Sequence, residues 1–232
     1  MKSALTVALS ASLLAVAACG PREQPSAAAP PPQPSAPAPQ APAPVAQPSR
    51  WRCAELLLSA TYAGERVELF FSGRKLGLPI ARSGSGARYA DAQGNEFWTK
   101  GGQGTLALAG EEKRDCETTP DASPWEAAKA RGIVFRGIGQ EPGWWVEIGS
   151  GDSPPLHAEL DYGERKIDIA KTQGISSTHG YGGLLEDGTA VVMRTWPEPC
   201  SDAMSGERFE NRVELSLGGK IYRGCGAYLD DR

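Results

Sequence analysis

Histidine is scarce in this chain. Only His157 and His179 occur among 232 residues, which argues against chemistry that gathers several imidazoles at one centre. A basic footprint is missing too: the net charge is −4, and lysine and arginine are spread along the sequence rather than clustered. Nucleic acid is therefore not an expected partner, because a phosphate backbone demands concentrated positive charge. Enzyme motifs are also absent. There is no Gly-x-Ser-x-Gly elbow, no P-loop, no metal-binding histidine pair and no Cys-x-x-Cys. His157 or His179 with Ser177 and an aspartate would supply the ingredients of a nucleophilic triad, but no spacing joins them. No catalytic residue, metal or small-molecule cofactor is expected. The mild acidity suits a basic partner, and serves equally as a setting for solubility.

Long hydrophobic runs are missing as well. The longest, Ala4 to Ala18, has fifteen largely apolar residues, too few to span a bilayer but suited to a secretory signal after the positive Met1-Lys2 start. It ends in Val16-Ala17-Ala18-Cys19-Gly20, which resembles the bacterial lipoprotein box. The resemblance implies that residues 1–18 are removed and that Cys19 carries acyl chains anchoring the protein to the membrane. Two or more chains anchor stably, at about 0.8 kcal/mol per buried methylene. Gly20, rather than aspartate, matches the pattern retained at the outer membrane; the expected setting is the bacterial cell envelope, lipid-anchored at the outer membrane facing the periplasm, with leaflet and orientation left open by the sequence.

Residues 19–50 form the next segment. From Pro21 to Pro48 the chain is nearly all Pro, Ala, Gln and Ser, and holds eleven of the nineteen prolines. Such a stretch buries no core and reads as an extended tether. At about 3.1 Å per residue it reaches on the order of 80 Å.

Beyond Cys19, four cysteines remain: Cys53, Cys116, Cys200 and Cys225. An even set in an oxidising compartment reads as disulfides. Three pairings exist on paper; Cys53–Cys116 and Cys200–Cys225 are chosen because each brackets a compact run of strand-like sequence. In the chain-entropy model these loops contribute roughly 4 and 3.5 kcal/mol.

The folded part reads as all-β, in two small antiparallel domains with one disulfide each. Domain one, residues 51–119, alternates at Arg66–Phe70, at Leu76, Leu78 and Ile80, and at Thr105–Leu108. Glycine-rich turns separate the runs, and the pattern predicts a small barrel or sandwich. Domain two, residues 125–232, opens with a helix start at Ser123-Pro124-Trp125-Glu126. Strands are predicted at 133–138, 144–148, 166–170, 190–194, 212–217 and 220–224, with turns at Asp187-Gly188 and Gly218-Gly219.

One constellation in the first domain carries a function. Ser83-Gly84-Ser85-Gly86-Ala87-Arg88-Tyr89-Ala90 precedes Glu96-Phe97-Trp98-Thr99-Lys100-Gly101-Gly102, between Trp51-Arg52-Cys53 and Asp115-Cys116-Glu117. Together these segments resemble the MliC/PliC family of membrane-bound and periplasmic inhibitors of c-type lysozyme. The resemblance covers residues 51–117. It implies a small β-barrel whose lysozyme-binding surface includes Ser85, Gly86, Arg88, Tyr89 and Lys100, with Ser85 and Lys100 reaching the catalytic carboxylates. The chemistry agrees. A c-type lysozyme cleaves with two acidic residues across a groove, and a plug needs a cation to pair with them and a hydroxyl to satisfy the remaining lone pairs. The rival reading is a structural or binding lipoprotein that recognises envelope components, with the inhibitor-like domain as scaffold.

The second domain is less informative. Phe135 to Trp144, Pro199 to Gly206 and Gly224-Cys225-Gly226 resemble an uncharacterised family of bacterial envelope β domains, which implies no activity. Gln140, Glu141, Trp144 and Trp145 read as core packing plus a turn, with a glycan or peptide site as the alternative. Asp202 and Ser205 read as turn formers that satisfy backbone amides.

Overall fold

The structure is a computed structural model, and it describes residues 48–175 and 179–230. The signal segment, Cys19, nearly all of the tether and Ser177 lie outside the described residues.

Eight strands form the first module: β1 (Ser49–Cys53), β2 (Leu56–Ala63), β3 (Arg66–Phe71), β4 (Arg74–Ala81), β5 (Ala87–Ala90), β6 (Glu96–Lys100), β7 (Gln103–Ala107) and β8 (Arg114–Thr118). Each pairs antiparallel with the next, and β8 returns to β1 to close a barrel. Closure removes every exposed strand edge. Alternation decides what fills the interior: Leu58, Val67, Leu69, Leu78, Phe97 and Leu106 all point inward and are fully buried. The Trp51 ring meets Phe97 edge-on at 5.5 Å. Cys53 and Cys116 are direct partners in the β1–β8 register, and their disulfide locks the seam that closes the barrel.

The chain then enters α1 (Pro124–Ala130). The Ser123 side chain caps it by accepting from the Glu126 amide at 3.0 Å, with Pro124 in the first turn. The second module follows: β9 (Phe135–Gln140), β10 (Gly143–Ile148), β11 (Leu156–Leu160), β12 (Arg165–Ile169), β13 (Gln173–Gly174), β14 (His179–Leu184), β15 (Ala190–Trp196), β16 (Cys200–Ser201), β17 (Arg208–Phe209), β18 (Asn211–Leu217) and β19 (Lys220–Tyr228). Nine of these form one antiparallel sheet in the order β12-β11-β10-β9-β19-β18-β15-β14-β13, while β16 and β17 pair separately. The sheet curls around a core that includes Phe135, Val146, Leu160, Ile167, Val213 and Leu215. The curl nearly brings its ends together: a Cβ on Gly183 of β14 would lie 2.9 Å from Ile169 of β12. Gly218 and Gly219, both at positive φ, make the two-residue β18–β19 turn. The Cys200–Cys225 disulfide ties β16 to β19.

The two modules share a third apolar cluster. Phe70 on the outside of β3 packs with Trp125 and Ala128 of α1, Phe209 of β17, and Cys225 and Ala227 of β19. The β3–β4 turn sits so close that a Cβ on Gly73 would fall 2.4 Å from the Ala227 Cβ. Arg50 reaches Glu126 at 2.9 Å, and Arg208 approaches Glu111 at 3.9 Å. Separating the modules would expose Phe70, Trp125 and Phe209 together.

Candidate functional site

In an up-and-down barrel, alternate connections share an end. The β2–β3 turn, the β4–β5 loop (residues 82–86) and the β6–β7 turn (101–102) lie at one end. The β3–β4 turn and the β7–β8 loop, which meet the second module through Gly73, Gly110 and Glu111, lie at the other. Ser85 belongs to the β4–β5 loop, and Lys100 ends β6 at the β6–β7 turn. Both are exposed, and both stand at the end of the barrel away from the Gly73 and Glu111 contacts.

The register sets Gly86, the neighbour of Ser85, against Lys100. β5 and β6 pair with Ala87 opposite Thr99, so the next step places Gly86 beside Lys100. A Cβ on Gly86 would lie 3.2 Å from the Lys100 Cβ and 2.3 Å from the Thr99 carbonyl oxygen. Gly86 also has φ +70°. Only glycine meets both demands, the close approach and the left-handed backbone. Two donors pin the Ser85 carbonyl: the Trp98 indole N–H at 2.9 Å and the Ser83 hydroxyl at 2.6 Å. Among the described residues, neither the Ser85 hydroxyl nor the Lys100 ammonium has a partner. The loop backbone is held at the Ser85 carbonyl while the Ser85 hydroxyl stays free.

The other site residues are placed differently. Tyr89 points inward and is 7% exposed, with its ring 5.8 Å from Tyr62. It supports the rim from beneath instead of presenting a contact face, and burial pushes its phenol pKa up. Arg88 lies on the outer wall directly across from Trp98, and its guanidinium is 2.7 Å from Glu96. That bond and the nearby charge hold the Glu96 carboxyl below its usual range; Lys113, 3.5 Å away, acts in the same direction. The Arg88 charge is thus already matched within the barrel wall.

Between Tyr89 and Phe97 the chain makes a tight turn. Asp91 accepts from the amides of Gln93 and Asn95 at 2.9 Å each, and the Asn95 side chain donates to it at 2.7 Å. Asn95 in turn accepts from the Ala109 amide at 2.8 Å, linking this turn to the chain after β7. The turn leaves β5 and β6 paired from Ala90–Glu96 up to Ala87–Thr99, so the rim is not displaced.

Residues 51–115 match the family described as membrane-bound lysozyme-inhibitor of c-type lysozyme. The match covers less than a third of the chain and runs from the middle of β1 to the start of β8. No curated protein matches the chain. The family is one of inhibitors, and its match supports a lysozyme-inhibitor role with c-type lysozyme as partner and the bacterial envelope as setting. Within the MliC-like barrel, the structure leaves Ser85 and Lys100, the two residues the resemblance singles out, exposed at one end. The Trp98 anchor was not legible from sequence, because nothing in Phe97-Trp98 says which aromatic faces out.

The remaining triad candidates are not assembled as a group. His157 on β11 meets Asp168 on β12, with 2.5 Å between Nδ1 and Oδ1. His179 opens β14 and lines a separate cavity with Thr195 and Tyr228. In the second module, Trp144 is core at 5% exposure and Trp145 is half-buried on the outer face. Asp202 accepts from the Met204 and Ser205 amides, the turn role expected of it. No helix among the described residues is long and apolar enough to cross a membrane.

Proposed function

We propose that this protein inhibits c-type lysozyme by seating the Ser85–Lys100 rim of its barrel in the enzyme's active-site cleft. One observation carries the reading: within a segment that matches a lysozyme-inhibitor family, a lysine and a serine hydroxyl with no partner among the described residues stand on neighbouring connections at one end of the barrel. The ammonium pairs with the catalytic carboxylates, and the hydroxyl satisfies an acceptor that the cation leaves open. Pairing is essential, since a desolvated lysine without a carboxylate is costly. The loop needs little ordering on binding, because the Trp98 and Ser83 bonds fix its backbone beforehand.

A lipid on Cys19 holds the barrel at the outer membrane on the tether, facing the periplasm, where it protects the cell wall. The second module grips the far end of the barrel and leaves the rim free.

Steady-state kinetics of lysozyme on a soluble oligosaccharide substrate test the cleft reading. Full-length protein is expected to raise KM and leave kcat unchanged. Inhibition that lowers kcat alone would place the contact outside the cleft.

A further inference from the structure

The outer face of β9–β12 carries two cross-strand rows. In the first, Arg136, Glu147, His157 and Asp168 are successive partners; in the second, Ile138, Trp145, Glu159 and Lys166 are. Six of these side chains, from Trp145 to Asp168, line a groove of about 650 Å³ with Arg131 at the end of α1. That volume lies in the range of small-molecule sites.

The groove is built on a buried ion cluster. Glu147 is 3% exposed and takes two arginines, Arg136 and Arg131, the latter through Nη2 at 2.7 and 2.8 Å. Arg131 is itself half-exposed, so its other N–H groups remain available in the groove it lines. The Arg136 guanidinium lies 5.2 Å from the Trp145 ring centre, and the Trp145 indole N–H donates to Glu159 at 3.2 Å. The aromatic ring is therefore held in a set orientation. Burying a carboxylate between arginines carries a desolvation cost that a merely structural sheet face could avoid with apolar residues.

Charge decides the ligand class. Arg131, Arg136 and Lys166 balance Glu147, Glu159 and Asp168, so an ion of either sign gains no net attraction. Donors and acceptors instead alternate beside a fixed aromatic ring. This pattern fits a molecule that is neutral, rich in hydroxyl groups and apolar on one face. We infer that the β9–β12 groove binds a neutral oligosaccharide, with the Trp145 ring against a sugar face and Arg131, Lys166 and Asp168 bonding its hydroxyls. The site lies on the second module and does not depend on the lysozyme reading.

Calorimetric titration of the full-length protein with the tetramers of N-acetylglucosamine and of glucose (β-1,4-linked) tests it. Saturable binding of at least one is expected. Trp145→Ala should weaken it at least tenfold. Asp168→Asn, at a side chain that is 73% exposed, should weaken it severalfold without moving the unfolding temperature. Lysozyme inhibition should be unchanged in both variants. Three results would overturn the inference: neither tetramer binds, binding survives both substitutions, or only a charged tripeptide such as Ala-Glu-Lys binds.

Discussion

The Trp98 indole N–H and the Ser85 carbonyl are joined by a hydrogen bond of 2.9 Å that crosses from β6 to the β4–β5 loop. It makes the outer wall of the barrel a support for the rim. Trp98→Phe keeps most of the ring and deletes the donor. A net hydrogen bond is worth about 1 kcal/mol. Inhibition of lysozyme should weaken about fivefold if that energy goes into ordering the loop. Thermal unfolding should move little, since the bond lies at the surface. A large loss of stability with unchanged inhibition would show that Trp98 serves the barrel and not the rim.

The two loop glycines should respond differently. A Cβ on Gly86 collides with the Thr99 carbonyl, and its φ is +70°. A Cβ on Gly84 meets nothing within 4 Å. Gly86→Ala is expected to cost about 2 kcal/mol or more, through strain and a forced shift of β5 from β6. Gly84→Ala should be near neutral in denaturant titration. Equal stability of the two variants would contradict the close packing of Gly86 on β6.

The disulfides differ in what they hold. Cys53–Cys116 closes the barrel seam across a sequence separation of 63, and Cys200–Cys225 spans 25. Loop entropy assigns them roughly 4 and 3.5 kcal/mol. Replacing Cys53 and Cys116 with alanine should lower both stability and inhibition. Replacing Cys200 and Cys225 should lower stability while the folded fraction still inhibits. Paired unfolding curves and inhibition assays separate the two cases.

Glu207 supplies a pH test of the joint between modules. Burial, reinforced by Asp202, pushes its carboxyl above the ordinary glutamate value of 4.5, while a hydrogen bond with Ser72 and the charges of Arg114 and Arg74 pull it down. A raised folded value means that its stabilising contribution is complete below pH 4.5 and is lost as pH rises through that raised value. Glu207→Gln cannot ionise. Relative to the parent, it should therefore gain stability between pH 4 and pH 7 in urea titrations. A constant difference across that range would show that Glu207 ionises freely in the folded protein.

Much of the fold was legible because alternation is a strong signal wherever side chains exist to carry it. Arg66–Phe70, Leu76, Leu78 and Ile80 fall in β3 and β4, and Ser123-Pro124 starts α1 as its capping chemistry requires. β14 gave no such signal. Gly180, Gly182 and Gly183 remove the side chains that would set a period, and Gly183 is small because the sheet curls until β14 meets Ile169. That contact depends on the tertiary structure and leaves no local trace. At the site, Ser85 and Lys100 were singled out by the family resemblance, and the structure leaves both exposed at one end of the barrel. Tyr89 and Arg88 were read as contact residues from their place in the motif, yet strand parity turns Tyr89 inward and Glu96 occupies Arg88.

Electrostatics should show in the rate of association. In the proposed complex the Lys100 ammonium approaches a carboxylate pair, an attraction that salt screens over about 10 Å at 0.1 M. Stopped-flow association with lysozyme should slow as salt rises, and Lys100→Ala should flatten that dependence. A parent rate indifferent to salt would remove the electrostatic component.

The most direct measurement is the inhibition constant of full-length protein against c-type lysozyme for the parent, Ser85→Ala and Lys100→Ala, with folding checked by thermal unfolding. Both side chains are exposed and unpaired among the described residues, so neither change should lower stability. A loss of at least tenfold for Lys100→Ala and a smaller loss for Ser85→Ala are expected. Full inhibition by both variants, or none by the parent, would contradict the plug.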